Sequence, residues 1–241
     1  MAQQRLDRIL GETGRWSRKE ARTLIRRGRV IVNGETVRAP ERKADPERDE
    51  ITADGAAIGW RRFCWVMLNK PAGVLTATED RDRPTVLDLL PEHLRRQGIA
   101  PVGRLDKDTE GLLLLTNDGA AAHRLTSPRH HAEKSYLAAI DGTVDRADIE
   151  IFASGITLKD GTRCLPARLE SLGPGRCRVT LREGKYHQVR RMLAARGKPV
   201  TGLERVSMGG LRLDETLPRG GFRLLTEEEI ETLRQGTRRE E

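Results

Sequence analysis

The chain places one carboxylate, Asp106, between an arginine and a run of four leucines. Residues Gly103–Gly111 read GRLDKDTEG, and Leu112–Leu115 and the turn residues Thr116–Gly119 follow. Four leucines bounded by glycine and turn residues are typical of a buried strand, so Asp106 is predicted on the loop that enters it. A charged group at the mouth of a buried strand is costly unless it is paired or useful. The residues alone leave two interpretations open, a nucleophile or a capping aspartate on a tight turn.

The composition indicates a partner that is a polyanion. The 241 residues suffice for two small domains, 33% of them are charged, and the formal net charge is +8. Residues 1–38 contain ten Lys and Arg against four Asp and Glu, a local balance of +6. Such an excess favours nucleic acid and predicts binding that weakens with salt.

Other classes of site find little support in the sequence. The three cysteines, Cys64, Cys164 and Cys177, are an odd number without a C-x-x-C pair, which argues against a disulfide framework and a zinc site. Neither a P-loop nor a G-x-G-x-x-G motif occurs, so we expect no metal and no cofactor. No stretch approaches about 18 apolar residues, and the N-terminus has no apolar run. We therefore expect no membrane association and a cytoplasmic location.

Residues 1–59 are predicted to form a small basic domain. Ser17 and Glu20 form a capping box that begins a helix, which is expected to continue to about Arg27. An Asn-Gly turn between Val30–Val32 and Glu35–Val37 predicts a β-hairpin. Four basic residues share one face of the helix at 3.6-residue spacing: Arg18, Lys19, Arg22 and Arg26.

The remainder is predicted to be a second domain at residues 63–234, after a linker at 60–62 and before a charged tail at 235–241. Strands are expected at Phe63–Leu68, Leu112–Leu115, Tyr136–Ile140 and Arg176–Leu181. Helices are expected at Thr85–Leu90, ending before Pro91, at 145–153 and at 188–196. Strands and helices do not alternate strictly, which predicts an α+β fold on a mixed, mainly antiparallel sheet.

Four stretches of the second domain resemble the RsuA-like group of pseudouridine synthases, which isomerise uridine in RNA. They are the loop around Asp106, Asn69–Gly73, residues 127–137 (SPRHHAEKSYL) and residues 183–192 (EGKYHQVRRM). The first domain, with its Arg5-Leu6-Asp7 start, capped basic helix and Val-Asn-Gly hairpin, resembles the S4 RNA-binding domain. Together the resemblances cover nearly the whole chain and imply a pseudouridine synthase fold behind an S4-like domain.

The resemblance also implies roles for particular residues. Asp106 is the expected nucleophile, Tyr136 the active-site tyrosine and Arg190 the cation that pairs with the carboxylate. Substrate contacts are expected from Arg104, Leu105, Val189 and Lys70, and RNA-backbone contacts from the four basic residues of the first domain.

The target implied by the resemblance is ribosomal RNA. Residues 127–131 (SPRHH) and 185–188 (KYHQ) are most similar to the member of the group that acts on one uridine in the 5′ domain of 16S rRNA. A monomer acting on 16S rRNA or on a small-subunit assembly intermediate is therefore expected. Two alternatives stay open, an enzyme acting on 23S rRNA and a non-catalytic S4-type assembly factor. A hydrolase that pairs Asp106 with Asp108 has little support, because no second acid motif accompanies them.

Overall fold

A computed structural model describes residues 3–127 and 132–236. Within that part, the chain divides into two compact units. One contains the residues up to 64 together with 90–99, and the other contains 65–89 and the residues from 100 onward. The predicted domain boundaries stay a prediction. Most of the predicted charged tail, and residues 128–131 of the SPRHH stretch, lie outside the described residues.

In the described residues, the first unit contains three helices and two small sheets. Its elements are β1 (Gln4–Arg5), α1 (Leu6–Glu12), α2 (Arg18–Arg26), β2 (Val30–Val32), β3 (Glu35–Val37), β4 (Lys43–Ala44), β5 (Ile51–Ala53), β6 (Ala56–Ala57) and α3 (Glu92–Arg95). Strands β2, β3, β5 and β6 form a four-stranded sheet in the order β3-β2-β5-β6, and β1 pairs with β4. The predicted capping box of Ser17 and Glu20 is confirmed, as is the hairpin at Asn33, whose φ is +51°.

The second unit is built on one large sheet. Its elements are β7 (Trp65–Lys70), β8 (Ala100–Pro101), β9 (Glu110–Thr116), α4 (Gly119–Thr126), β10 (Lys134–Ile140), α5 (Arg146–Ser154), β11 (Arg168–Ser171), β12 (Arg176–Leu181), α6 (Gln188–Ala195), β13 (Val200–Met208), β14 (Leu211–Arg212), β15 (Phe222–Leu224) and α7 (Glu227–Gln235). The main strand order is β11-β12-β10-β13-β9-β7-β15, with β14 beside β13 and β8 beside β9. Among the paired strands named above, β13 and β9 alone run parallel in the described residues, and the other pairs are antiparallel. The predicted mixed, mainly antiparallel α+β sheet is therefore confirmed.

Each unit has its own apolar core. Leu6, Ile9, Ile25 and Val30 are among the buried residues of the first, and Trp60 packs against them. In the second, Phe152 of α5 and Met192 of α6 pack with alternate residues of β10 and β12. None of the helices in the described residues combines the length and the apolar character that a membrane span requires.

Two predicted elements differ from the structure. The segment Thr85–Leu90 is not helical: Thr85 bridges to Leu75, and the Asp88 carboxylate accepts the Thr85 N–H at 2.8 Å. The helix begins instead after Pro91, which has no N–H to lose at a helix start. The first strand of the second unit runs to Lys70 rather than Leu68, because Lys70 still pairs with Gly111 of β9.

Candidate active site

Asp106 lies on the loop that leads into β9, as the sequence predicts. The Thr109 N–H donates to the Asp106 carbonyl at 3.0 Å, which closes a tight turn just before the strand. The Asp106 side chain is 35% exposed, so its carboxylate reaches solvent while its backbone is fixed. The leucines that follow, from Leu112 to Leu115, are completely buried and anchor the loop to the sheet.

Two further residues hold this loop from the side of β7. The Thr76 hydroxyl donates to the Leu105 carbonyl at 2.8 Å and accepts the Leu105 N–H at 3.3 Å. The Gly73 N–H donates to the Lys107 carbonyl at 3.0 Å. The backbone on both sides of Asp106 is therefore fixed by hydrogen bonds before any substrate arrives.

The predicted contact between Lys70 and the substrate needs correction. Its side chain is completely buried, and its ammonium donates to the carbonyls of Pro71 at 3.0 Å, Lys107 at 2.9 Å and Thr109 at 2.9 Å. All three N–H donors are thus used, and Lys70 does not line the pocket. Burial lowers the pKa of Lys70 to about 8, against the opposing effect of Asp108. Lys70 holds the Asp106 loop rather than the substrate.

A pocket of about 80 Å³ opens over Asp106. Of the predicted substrate contacts, Arg104, Leu105 and Val189 line it, together with Tyr136 from β10. The remaining lining residues had not been predicted to contact the substrate: Thr109, Leu181, Gly184, Lys185, His187, Gln188 and Leu203. A carboxylate, a phenol and apolar walls therefore meet at one point, although their positions span more than eighty residues of sequence.

A larger groove of about 770 Å³ lies on the opposite face of the same sheet. Ser135 and Leu137 line it, whereas Tyr136 between them lines the small pocket, because successive strand residues point to opposite faces. Acidic and basic side chains alternate in the groove, with Glu204 paired to Arg219 at 2.9 Å. The smaller pocket is the one that brings Asp106 together with Tyr136 and Val189.

The basic side chain in contact with Asp106 is not the one predicted. Arg190 forms no ion pair with Asp106: its guanidinium donates to the carbonyls of Val200 and Asp108, both at 3.3 Å. Position 190 is in the first turn of α6, and from there the side chain reaches the backbone beside the loop rather than the carboxylate. His187 takes the predicted place, with its Nε2 3.5 Å from Asp106 Oδ1.

The backbone at His187 is unusual. Its φ is +48°, in the left-handed region that costs a residue other than glycine about 1 kcal/mol or more. The ring stacks on Tyr186 with centroids 3.9 Å apart. The dipeptide Tyr186-His187 is part of the 183–192 stretch that resembles the family, but neither residue type by itself indicated a contact with Asp106.

The basic helix face of the first unit is exposed as predicted. Arg18, Lys19, Arg22 and Arg26 all point to solvent. Arg22 also donates from Nε to the buried Asp7 carboxylate at 2.8 Å, while Arg5 donates to both oxygens of Asp7 at 3.0 Å. The hydrogen bond from Arg5 and the charge of both arginines lower the pKa of Asp7 to about 2.

Comparisons with known proteins agree with this arrangement. A family model described as RNA pseudouridylate synthase matches residues 64–195, and an S4 domain model matches residues 4–51. The ribosomal small subunit pseudouridine synthase A of Escherichia coli K12 is 46% identical over 94% of this chain and 98% of that protein. An uncharacterized RNA pseudouridine synthase of Bacillus subtilis is 43% identical over 95% and 98%. A crystal structure of a pseudouridylate synthase has a TM-score of 0.68 at 39% identity, covering 95% of this chain and 99% of that one.

Proposed function

The chain belongs to the RNA pseudouridylate synthase family and carries an S4 domain, and we propose that it isomerises one uridine in the 5′ domain of 16S ribosomal RNA to pseudouridine. The choice of the small subunit is supported by the name of the Escherichia coli relative, which aligns over 94% of this chain. The observation that carries the chemistry is the partly exposed Asp106 carboxylate, held by a fixed loop in a pocket with Tyr136.

Asp106 is the nucleophile in this proposal. Its carboxylate forms a covalent adduct with the nucleotide, and the bond between uracil N1 and ribose C1′ breaks. The uracil then turns, C5 bonds to C1′, the C5 proton is removed and N1 takes up a proton as the adduct is released. Substrate and product have the same atoms, so the reaction balances without an oxidant, a reductant or a second substrate.

The other pocket residues handle the base. A uracil stacked inside folded RNA is out of reach, so the nucleotide must be extruded into the pocket. Arg104, exposed at the rim, fills the vacated space or holds a flanking phosphate. Leu105 and Val189 enclose the base. The Tyr136 ring stacks on the base, and its hydroxyl relays the proton that leaves C5.

In this proposal His187, whose Nε2 is 3.5 Å from Asp106 Oδ1, positions the carboxylate, and Arg190 has the supporting task of fixing the loop through the Asp108 carbonyl. A guanidinium keeps its charge at any working pH, so this support does not titrate.

The proposal includes the partner and the setting. Arg18, Lys19, Arg22 and Arg26 contact the RNA backbone and supply affinity rather than base readout. In this proposal the chain acts as a monomer. The substrate is 16S rRNA or a small-subunit assembly intermediate, which places the activity in the cytoplasm.

Pseudouridine mapping tests the proposal. Wild-type protein and the Asp106→Asn variant are incubated with unmodified 16S and 23S rRNA, naked and in early assembly particles. Carbodiimide labelling and reverse-transcription stops then locate the product. We expect a single stop in 16S rRNA that is absent with the variant, whose RNA affinity stays within about twofold of wild type. Full activity of Asp106→Asn would refute the nucleophile.

The same experiment separates the alternatives. A stop in 23S rRNA alone keeps the enzyme and replaces its target. Tight RNA binding without a stop in any substrate favours a non-catalytic assembly factor. A hydrolase using Asp106 with Asp108 gains no support, because Asp108 does not line the pocket.

A further inference from the structure

A second concave surface lies on the first unit, beside the basic face of α2. It is a groove of about 560 Å³, within the range of about 300–1,000 Å³ typical of small-molecule sites. Residues from β1, α1, β4 and the segment after β4 line it together with Trp60. The basic residues Arg5, Arg8 and Lys43 are among them, and so are two acidic residues, Asp45 and Glu47. We refer to it below as the Trp60 groove.

One carboxylate fixes both the aromatic and the cationic wall of this groove. Glu12 accepts from Arg8 Nε at 2.7 Å on one oxygen and from the Trp60 indole N–H at 3.0 Å on the other. The indole is therefore held in one orientation. The four terminal N–H donors of Arg8 have no partner among the described residues, and its side chain is 57% exposed. Lys43 is also exposed and likewise forms no ion pair within the described part of the chain.

The groove is continuous with the basic face of α2. Arg5, which lines the groove, and Arg22, which is on that face, both donate to the buried Asp7 carboxylate. The Asp7 carboxylate offsets one of these two positive charges, so the three side chains together keep a net charge of +1. A cationic track thus runs from α2 past Arg5 to Arg8 and Lys43.

We propose that the Trp60 groove binds one unpaired nucleotide of the RNA, with the base stacked on Trp60 and the phosphate held by Arg8 and Lys43. A fixed aromatic ring beside free cations is the combination that binds single-stranded nucleic acid, since every base has a face that stacks. A duplex holds its bases inside the stack and cannot offer one to the indole. The role as an RNA contact rests on the proposed function, in which the S4 domain holds the substrate RNA.

Binding of two labelled probes by the full-length protein tests this site. The probes are a fluorescein-labelled decauridylate and a blunt duplex RNA of ten base pairs, and the Kd of each is followed by anisotropy over a series of KCl concentrations. The variant Arg8→Gln/Lys43→Gln removes the contact with one phosphate, which is worth about 0.7 in the slope of log Kd against log salt for a single strand. We expect its slope with decauridylate to be shallower by about 0.7.

The aromatic contact is tested separately. Trp60→Leu is expected to weaken decauridylate binding about tenfold with no change in the salt slope, and Trp60→Phe is expected to retain most of the affinity. Circular dichroism and thermal melting establish that each variant is folded. Trp60 packs on the core of the first unit, so the Phe variant and the Arg8/Lys43 variant decide the matter if Trp60→Leu does not fold.

The control is a charge-matched double variant of the second unit, Arg146→Gln/Lys159→Gln, whose parent side chains are both exposed. It lowers the net charge equally, and we expect it to leave Kd and slope near wild type. An unchanged slope for Arg8→Gln/Lys43→Gln, equal loss in the control, or equal sensitivity of duplex and single strand to the Trp60 change would each overturn the proposal. Pseudouridine mapping fails or succeeds independently of these outcomes, because decauridylate binding does not require turnover.

Discussion

Replacing the buried Lys70 by methionine is expected to loosen the loop that carries Asp106. The ammonium of Lys70 joins three backbone carbonyls, two of which belong to Lys107 and Thr109 on that loop. Methionine has a similar length and no donor, so it fills the space and leaves the carbonyls of Pro71 and Thr109 without this donor, whereas the Lys107 carbonyl keeps the Gly73 N–H. The change therefore removes the hydrogen bonds with little change in packing.

The magnitude follows from two opposing effects. Each enclosed carbonyl left without a donor costs about 1–3 kcal/mol, so two cost about 2–6 kcal/mol. Burial lowers the pKa of Lys70 from 10.5 to about 8, and at about 1.4 kcal/mol per pH unit methionine recovers about 3.5 kcal/mol. The free energy of unfolding of the second unit is therefore expected to fall by at most about 2.5 kcal/mol. A displacement of about 1 Å in the loop lowers kcat by up to about a hundredfold.

The assay combines urea unfolding with single-turnover pseudouridine formation and RNA binding. Lys107→Met is the matched control, because Lys107 is exposed on the same loop and its loss is expected to change stability by about 0.5 kcal/mol or less. We expect Lys70→Met to lower kcat while Kd for RNA stays near wild type. Wild-type stability and kcat would refute the reasoning, and a raised Kd with unchanged kcat would restore the direct substrate contact predicted from the sequence.

Three further predictions follow from individual contacts. Gly111→Ala is expected to lower the free energy of unfolding by about 2–4 kcal/mol, because its φ is +94° and a Cβ would lie 2.3 Å from the Arg205 carbonyl oxygen; an unchanged Tm would contradict this. Burial, reinforced by the charge of Arg205, lowers the pKa of Lys134 to about 8. The unfolded chain therefore binds more protons between pH 8 and 10.5, and stability should rise with pH across that window; urea unfolding at several pH values should show a weaker rise in Lys134→Met. Ser17→Ala should cost the first unit about 1 kcal/mol through loss of the cap on Glu20 N–H, whereas Ser17→Asp should retain the cap; equal urea midpoints for the two variants would refute it.

Local patterns were sufficient for most elements of the second unit. The strands at Leu112–Leu115 and Arg176–Leu181 and the helix from Gln188 lie within a few residues of their predicted bounds, because their apolar residues are continuous or periodic. The helix predicted at Thr85–Leu90 was wrong, since a bridge to Leu75 decides that segment. A long-range partner of this kind leaves no mark on the local pattern.

The residues of the candidate site also fall into two groups, those that the sequence could predict and those that it could not. Arg104, Leu105 and Asp106 are adjacent in the chain, and a strand behind them fixes their position, so the loop could be predicted. His187 and Lys70 could not, because their roles depend on side chains from α6 and β7 that reach the loop from elsewhere. The sequence equally gave no reason to expect Arg190 on the Val200 carbonyl rather than on the Asp106 carboxylate.

The sequence by itself determined the order of the two units, the basic face of α2 and the loop that presents Asp106, because these depend on spacing along a few consecutive residues. Only the tertiary structure decided which groups meet that carboxylate and which are enclosed. The pairing of β7 with β9 buries Lys70 under the loop, and the start of α6 brings His187 to Asp106. Contacts between residues that are 37 to 81 positions apart are set by the packing of whole strands and helices, so local spacing cannot encode them.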